Sequence, residues 1–423
     1  MLNPALSPAI SPALSPALPP TLSPAPSIDR AALNAFVGLV GDGAWRDRIG
    51  RLRPAAAAQT RLGRAALQRH AIELGIERLR RGMNRPPSLA ERWIAQYATA
   101  AATLERTLPA AGRTRLVALL RAGLCDEQCL VPAFHLLRTA GMQQARGFDV
   151  GYAGLIDAAP FDLLISRDGA EAEVACDVLS AEEGRGVRRG AWFSLVDRVD
   201  HDLQTWLAAH PGRYILKMTL PQGLREETDP AGHGLLGILH DRIRAMLASQ
   251  SRADYDGTAV LRLDPLMLAA ARADELGLMP RLRQEFGPQA QLSVTAAAGG
   301  VFVMAARAGQ ENTVAIAVRR RLDSLAPTRL TGTRPGILAL FIDDTDRVEW
   351  QSLRSTLELE GETRQFMTHP EARSVVCVTC ASRLELFGLP EPDSVPGGEL
   401  RFRNPAHPAA KAVALAPAVL SSE

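Results

Sequence analysis

Apolar residues in the middle of the chain recur with helical spacing in some segments and strand spacing in others. Residues Val131–Thr139 have a helical pattern, and the runs Phe161–Ile165 and Glu173–Leu179 that follow are typical of strands. Apolar residues of Arg188–Ala209 again recur at helical spacing, and Tyr214–Met218 has the pattern of a further strand. The order helix, strand, strand, helix, strand predicts a mixed sheet with helices packed on it.

These elements assign residues 118–221 to a central α/β core. The preceding segment 28–117 has a helical pattern, in which Ser88 and Glu91 form the signature of a capping box at the start of a long helix. Residues 1–27 repeat Ser-Pro-Ala, and prolines at this spacing predict an extended, disordered tail because each removes a backbone donor.

The second half of the chain continues the alternation of helices and strands more loosely. The predicted helices are Leu235–Leu247, Leu266–Phe286, Thr313–Leu325 and Glu349–Leu359, and the predicted strands are Ala259–Leu263, a pair within Gln291–Ala306, Gly336–Ile342 and Ser374–Cys380. The fold class is therefore α/β. The pattern leaves open whether residues 222–390 extend the central sheet or form a domain of their own. Residues 391–423 are proline-rich again and are predicted to be a second tail.

Total charge does not identify a partner for the chain. The formal net charge is +2, and among 48 basic residues only Lys217 and Lys411 are lysines. The basic segment Arg46–Arg85 contains many more arginines than acids, which fits either a phosphate-binding surface or the solvated face of helices. Nucleic acid is therefore a partner that the sequence allows without requiring it, and the oligomeric state stays open.

Cysteine usage and hydropathy favour a cytoplasmic protein. Five cysteines in 423 residues do not make a disulfide framework. The N-terminal residues lack the basic and apolar regions of a signal peptide, and no interior stretch is as uniformly apolar as a membrane helix. Cys377 and Cys380 are spaced like a zinc motif, but strand alternation sends them to opposite faces, so we expect buried thiols.

Two strands of the central core carry acidic residues in a pattern that resembles a nuclease family. The first run is Pro160–Ile165, with Asp162 near its start, and the second is Ala172–Ser180, which contains Glu173 and Asp177. Together with the flanking helices, these strands resemble the PD-(D/E)XK, or restriction-endonuclease-like, superfamily over about a quarter of the chain. The resemblance implies that an aspartate on one strand and an acid-x-lysine triplet on the next meet at one end of the sheet.

The resemblance also implies the chemistry of such a site. In that family two carboxylates hold a divalent metal beside the scissile phosphate, where hard oxygen ligands suit Mg²⁺, and the lysine helps to orient the attacking water. Asp162 matches the first aspartate. If Cys176 occupies the middle of the triplet, Ala175 takes the acid position and Asp177 takes the lysine position. If Glu173 is the acid, its partner is again Ala175, so neither register contains a lysine.

The carboxylates of the second strand cannot share one ion. Glu173 and Asp177 point to the same face but lie about 13 Å apart along a strand that rises ~3.3 Å per residue. Asp162 could pair with either one, which gives Asp162 and Glu173 as candidate metal ligands and Asp162 and Asp177 as candidate catalytic acids.

The missing positive charge could come from another part of the core. Lys217 lies on the predicted strand that follows, and Arg185, Arg188 and Arg189 lie at the start of the predicted helix. Arginine can clamp a phosphate with two hydrogen bonds but does not transfer protons, so these arginines are candidates for nucleic-acid binding more than for catalysis.

Three functions follow from this reading. The first is a restriction-endonuclease-like protein that acts at nucleic acid with impaired catalysis. The second is a non-catalytic scaffold or regulatory protein with the same fold. The third is an active nuclease that uses Mg²⁺, Asp162, Asp177 and a relocated cation; only this function requires a cofactor. A purely structural reading also stands, in which Asp162, Glu173 and Asp177 are ordinary solvent-facing acids.

Overall fold

The computed structural model of the protein describes residues 28–82, 85–125, 129–226, 234–266, 275–287, 290–310 and 313–421. The tail predicted for residues 1–27 lies outside these described residues, and so does the first part of the helix predicted from Leu266. Within the described ranges the chain folds into two mixed β-sheets flanked by helices, which confirms the predicted α/β class.

Helices account for more of the described chain than strands do. In chain order they are α1 (Arg30–Val40), α2 (Asp42–Ala57), α3 (Arg61–Arg69), α4 (Ala71–Arg81), α5 (Leu89–Thr107), α6 (Ala110–Ala122), α7 (Val131–Ala145), α8 (Ala153–Ile156), α9 (Arg189–Ala209), α10 (Leu235–Ser249), α11 (Glu275–Phe286), α12 (Val314–Arg329), α13 (Arg347–Ser355), α14 (Glu358–Phe366), α15 (Arg383–Leu386) and α16 (Ala416–Val419). The predicted capping box is present at the start of α5, where Ser88 and Glu91 bond to each other's backbone N–H.

The strands alternate with these helices. They are β1 (Asp149–Gly151), β2 (Leu163–Arg167), β3 (Ala170–Ser180), β4 (Arg213–Leu220), β5 (Ala253–Tyr255), β6 (Val260–Pro265), β7 (Gln291–Ala297), β8 (Gly300–Ala308), β9 (Gly336–Asp343), β10 (Val375–Ala381) and β11 (Leu400–Arg403). Helices and strands therefore occur close to the predicted positions along most of the described chain.

The first sheet has six strands in the order β1-β2-β3-β9-β10-β11. The strands β3, β9 and β10 run parallel, whereas β1, β2 and β11 pair antiparallel to their neighbours. All eight residues of β9 are buried, as expected for a parallel strand covered on both faces. This strand therefore forms the centre of the sheet.

Helices cover both faces of the first sheet. The N-terminal helices and α7 form one continuous core with Ile337, Ala339 and Phe341 of β9. On the other face, α12, α13 and α14 pack on Leu338 and Leu340. The segment 28–117 was predicted as a separate helical region, but it is one layer of this three-layer unit, because its apolar faces are buried against the sheet.

The second sheet has five strands in the order β5-β6-β4-β8-β7, with β4 and β8 parallel to each other. Its main core includes the predicted apolar stripe of α9, from Trp192 to Leu207, packed on Phe302 and Met304 of β8. The expectation that the strand Tyr214–Met218 would join the sheet of the acidic strands is therefore wrong. The predicted core over 118–221 is divided between the two sheets, because β3 finds its parallel partner in β9.

The C-terminal residues are ordered as far as Ser421, contrary to the predicted tail over 391–423. Strand β11 pairs antiparallel with β10, from Cys377↔Arg403 to Cys380↔Leu400. Composition misled the prediction, since the prolines fall outside the four residues of β11 and leave its backbone donors intact.

The second sheet is an insertion into the first. Its chain leaves after β3 at Gly184 and returns at Thr313, where the Thr313 backbone N–H donates to the Gly184 carbonyl at 2.8 Å and the Thr313 hydroxyl donates to the same oxygen at 3.1 Å. A Cβ atom on Gly184 would lie 2.4 Å from the backbone N and Cα of Val314. Only glycine allows the two ends of the insertion to approach this closely.

The sequence predicts that no helix of the chain crosses a membrane. Where the structure describes a helix, its length and apolar character fall short of what crossing a bilayer requires.

Replacement of Gly184 by alanine should destabilise the protein by about 1–3 kcal/mol, because the new methyl group overlaps the Val314 backbone. Urea unfolding followed by circular dichroism measures the change. Gly361→Ala is the control, since nothing lies within 4 Å of its Cβ position on α14, and we expect it to leave the protein as stable or slightly more stable. Equal stability of the two variants would contradict the close approach at Gly184.

Candidate functional site

A cavity lies where strands β2 and β3 diverge. The β2–β3 ladder ends at the pair Leu163↔Val174, and beyond it β3 pairs only with β9 among the described strands. Asp162 sits at the point of divergence: its backbone N–H donates to the Val174 carbonyl at 3.0 Å, and its carboxylate accepts the Cys176 N–H at 2.7 Å. The Asp162 side chain thus satisfies a backbone donor that β2 leaves unpaired.

This cavity has a volume of about 550 Å³ and is walled by β3, α6 and α7. We call it the acidic cavity, after the five carboxylates that line it: Asp162, Asp177, Glu183, Asp343 and Asp344. Arg69 and Arg329 line it as well. The structure therefore brings two predicted residues, Asp162 and Asp177, to one cavity.

The Asp162 carboxylate is paired with an arginine from α12. The Arg329 Nη2 donates to Asp162 Oδ2 at 2.7 Å, and the Arg329 Nε donates to the Pro160 carbonyl at 2.6 Å. Burial raises the pKa of Asp162, and nearby Asp177 raises it further, while Arg329 and the Cys176 N–H lower it in part. Asp162 is therefore held by Arg329 in a cavity that Asp177 also lines.

Asp177 is paired with a second arginine of the same helix. The Arg321 Nε donates to Asp177 Oδ2 at 2.5 Å and its Nη2 donates to Oδ1 at 3.2 Å, so both carboxylate oxygens are occupied. Arg321 therefore supplies a positive charge next to the position that would hold the family's lysine in the first register.

Glu173 does not line the acidic cavity, although it was predicted as a metal ligand with Asp162. It stands opposite Leu164 in the paired part of β3, and its side chain is fully buried. The Thr331 N–H donates to Glu173 Oε2 at 2.8 Å, the Thr331 hydroxyl donates to Oε1, and Arg334 lies 3.7 Å away. The segment after α12 thus satisfies this carboxylate completely.

As arranged, Asp162, Glu173 and Asp177 do not fit a Mg²⁺ site. A Mg²⁺ ion needs several free oxygen ligands at ~2.1 Å around one point, whereas each of these carboxylates bonds to a different cation or hydroxyl group. Among the described side chains, the group of three potential ligands found within 4.8 Å of one another is Asp323, His369 and Glu371, and none of these lines the acidic cavity.

Lys217 does not reach the acidic cavity. It lies on β4 in the second sheet, where it pairs with Asp264 at 3.4 Å and lies 5.7 Å from the centre of the Phe286 ring. The prediction that Lys217 could supply the missing positive charge beside the acids is wrong, because its strand β4 pairs with β6 and β8 in the second sheet.

The predicted arginines Arg185, Arg188 and Arg189 bind carboxylates of the protein itself. Arg185 is 6% exposed and donates to Glu182, to Glu349 and, at 2.8 Å, to the Asp344 carbonyl. Arg188 pairs with Glu226 at 3.5 Å, and Arg189 pairs with Asp346 at 3.5 Å. Arg185 and Arg189 thus link the start of the insertion to the residues after β9, Arg188 pairs within the insertion, and the three do not form a free basic surface.

The basic segment Arg46–Arg85 is also largely neutralised within the fold. Two glutamates account for five of its arginines: Glu77 pairs with Arg53, Arg80 and Arg81, and Glu91 pairs with Arg78 and Arg85. Burial acts to raise the pKa of Glu77, but the hydrogen bonds from the Trp45 indole N–H and Arg81 and the charge of Arg80 lower it overall. Most of this segment is therefore held in a network of ion pairs at the surface of the N-terminal helices.

Sequence reasoning missed the far end of the cavity. Asp343 is the last residue of β9 and Asp344 follows it, and Asp344 accepts a hydrogen bond from the Ser180 hydroxyl at 2.6 Å. Arg383 donates to both oxygens of Asp343, from Nη2 to Oδ2 at 2.9 Å. Two acids at the carboxyl end of a buried parallel strand are the signal that could have found them, since binding sites gather at this edge.

His135 is a further residue of the cavity that was not among the predicted site residues. It lines the acidic cavity from α7, and its Nε2 lies 2.9 Å from the Ala339 carbonyl of β9. The side chain is 2% exposed, and burial lowers its pKa to about 4. His135 is therefore neutral at physiological pH, with Nε2–H as donor.

The prediction that the C-terminal pair of cysteines are buried thiols is confirmed. Cys377 and Cys380 are fully buried, and they belong to the cores on opposite faces of the first sheet. Among the five cysteines, which all lie in the described residues, none forms a disulfide.

Comparison of the chain with family models, with curated proteins and with solved structures gave no match. The functional argument therefore depends on the geometry of the acidic cavity.

Replacement of His135 by glutamine should reduce the loss of stability in acid. An unfolded histidine takes up a proton near pH 6.5 but folded His135 only near 4, so its contribution is present above about pH 6.5 and is lost as the pH falls to about 4. The full loss is about 3 kcal/mol, and glutamine, which still offers a donor to Ala339, does not titrate.

Urea unfolding of both proteins across this pH range tests the expectation. The exposed His201→Gln variant is the control and should unfold with the pH dependence of the original chain. Parallel pH profiles for the original chain and His135→Gln would show that His135 is not a buried neutral histidine.

Proposed function

We propose that this chain is a restriction-endonuclease-like protein that acts at nucleic acid without cleaving it. The observation that carries the proposal is the acidic cavity, where Asp162 and Asp177 meet at the divergence of β2 and β3 but are bound by Arg329 and Arg321. An ion pair takes the place where the family's metal and lysine would act.

The topology of the first sheet supports the resemblance. Helix α7 is followed by β1, β2 and β3, and α12 then leads to β9, which lies parallel to β3 in the same sheet. This is the order helix, strands, helix, strand that the sequence suggested, with α12 and β9 in place of α9 and β4. The second sheet interrupts this order without changing the neighbours of β3.

The charges around the acids support a loss of catalysis. A metal would have to displace Arg329 from Asp162 and Arg321 from both oxygens of Asp177. Arginine is never deprotonated in this setting, so neither residue can replace a proton-transferring lysine. The candidate catalytic set of Asp162, Asp177 and Lys217 lacks its cation, because Lys217 lies in the second sheet and pairs there with Asp264.

Contact with nucleic acid would use the arginines that the ion-pair network leaves available. Arg51 on α2 and Arg64 on α3 are exposed and have no ion pair within the described part of the chain. Helix α3, which carries Arg64, ends at Arg69, and Arg69 lines the acidic cavity. Exposed arginines in such a position suit the phosphate backbone.

A non-catalytic scaffold is the second candidate function. The observation that favours it is the charge of the acidic cavity itself, since five carboxylates and two arginines line it. Such a wall repels a phosphate group and suits a cationic or neutral partner. The two functions are distinguished by whether the chain binds nucleic acid in a salt-dependent way.

The purified chain should not cleave plasmid DNA or single-stranded RNA in the presence of Mg²⁺ or Mn²⁺. The physical reason is that Asp162 and Asp177 are bound by arginines and no lysine lies among them. Gel electrophoresis of the substrates measures cleavage, and the matched variant is Asp162→Ala. Metal-dependent cleavage by the original chain that Asp162→Ala loses would contradict the proposal and indicate an active nuclease.

Affinity for duplex DNA should fall steeply as the salt concentration rises, because phosphate contacts release bound counterions. The double variant Arg51→Gln/Arg64→Gln should lower the slope of log affinity against log salt by about 2. Fluorescence anisotropy with labelled DNA measures both quantities.

The control for this binding experiment is Arg252→Gln, since Arg252 is an exposed arginine beside the second sheet. We expect it to leave the slope almost unchanged relative to the double variant. Absent or salt-independent binding would reject the nucleic-acid function and favour the scaffold.

A further inference from the structure

A second cavity lies on the same helix as the acidic cavity but at its other end. It has a volume of about 360 Å³ and lies between α5, α7 and the chain after α15. We call it the aromatic cavity, and its lining includes Trp93, Tyr97, Arg138, Met142, Leu389 and Pro390. Its size falls within the ~300–1,000 Å³ typical of pockets for small molecules.

An aromatic pair forms one wall of this cavity. The rings of Trp93 and Tyr97, one helical turn apart on α5, are stacked with centroids 5.8 Å apart and an angle of 23° between their planes. Gly388 has a φ of +63°, and a Cβ atom there would lie 2.0 Å from Trp93 Nε1. The loop backbone therefore lies directly against the indole edge and limits its motion, which leaves a fixed flat surface.

An arginine that forms no ion pair with any described residue lies at the side of the cavity. Arg138 is 5% exposed, and its Nη2 donates to the Gly398 carbonyl, whereas its Nη1 is buried with no hydrogen-bond partner among the described residues. No described carboxylate lies within 4.0 Å of it as an ion pair. A buried guanidinium without an anion is costly, because it has lost its water and gained no opposite charge.

The acids around the cavity do not neutralise Arg138. Glu385 is 6% exposed and accepts hydrogen bonds from the Ser382 N–H at 2.7 Å, the Val395 N–H at 2.9 Å and the Trp350 indole N–H at 3.0 Å. Glu391 is exposed to solvent at the rim. The positive charge of Arg138 is thus available to an anion that enters the cavity.

We propose that the aromatic cavity binds a small planar aromatic carboxylate. Its ring stacks on the Trp93–Tyr97 wall, and its carboxylate accepts a hydrogen bond from Arg138 Nη1, which has no acceptor among the described residues. Gln96 Oε1 is buried at the same cavity without a partner among the described residues, so a hydroxyl or amino substituent on the ligand would find an acceptor there. This inference does not depend on the function proposed for the acidic cavity.

Two probes of the same shape and different charge test the proposal on the full chain: 2-naphthoate and the neutral 2-naphthamide. Isothermal titration calorimetry and saturation-transfer NMR measure their binding. We expect 2-naphthoate to bind at least about tenfold more tightly than 2-naphthamide, since only the carboxylate forms a charge-assisted bond with Arg138. Absence of 2-naphthoate binding, or equal affinity for both probes, overturns the proposal.

Variants locate the binding. Arg138→Met should remove the preference for 2-naphthoate, and Arg320→Met, at an exposed arginine on α12, should preserve it. Ala145→Phe is a second variant, which leaves the buried Arg138 unchanged. Ala145 is exposed at the end of α7 and lines the cavity. The larger side chain should obstruct the cavity and weaken binding of both probes. Unchanged binding by Ala145→Phe would show that the probes bind elsewhere and would overturn the assignment.

Discussion

The parallel pairing of β3 with β9 is the constraint on which the rest of the structure depends. It runs over eight residue pairs, from Glu173↔Gly336 to Ser180↔Asp343, and joins two parts of the chain that lie far apart in sequence. This pairing occupies one edge of β3 and brings the carboxyl ends of both strands together, which assembles the acids at one end of the acidic cavity. At the other edge of β3, beyond the end of β2, the Asp162 carboxylate accepts the Cys176 N–H.

The local elements could be predicted from the sequence, but their partners could not. The apolar stripe of α9 and the strand at Tyr214–Met218 were both recognised, since each depends on neighbouring residues alone. Their assignment to the sheet of the acidic strands rested on the tendency of successive strands to be neighbours. An insertion defeats that tendency, because the parallel partner of β3 comes only after the whole second sheet. At the C-terminus, proline content concealed β11 in the same way: composition does not show which residues pair.

The candidate site was predictable in the same partial sense. Asp162 and Asp177 were expected to approach one another, because the resemblance implied that the acids of these two strands meet at one end of the sheet, and the pairing of β2 with β3 places them near each other. Their cations were not foreseen, since Arg321 and Arg329 belong to a helix that packs on the sheet from a distant part of the chain. Lys217 was considered because its predicted strand follows the acidic strands along the chain, yet order along the chain does not decide which strands are neighbours.

The two ends of the inserted sheet meet at Gly184 and Thr313, so the backbone passes between the first sheet and the insertion at one place. A segment with adjacent ends can in principle be grafted into another host, or exchanged for a short connection, because the host backbone needs to open at one point only. Arg185 complicates such surgery: it sits just inside the junction and carries side-chain bonds back to Glu349 of the host. If the insertion were moved to another protein, Arg185 would lose its partner Glu349, so the boundary of the moved segment should fall after Arg185.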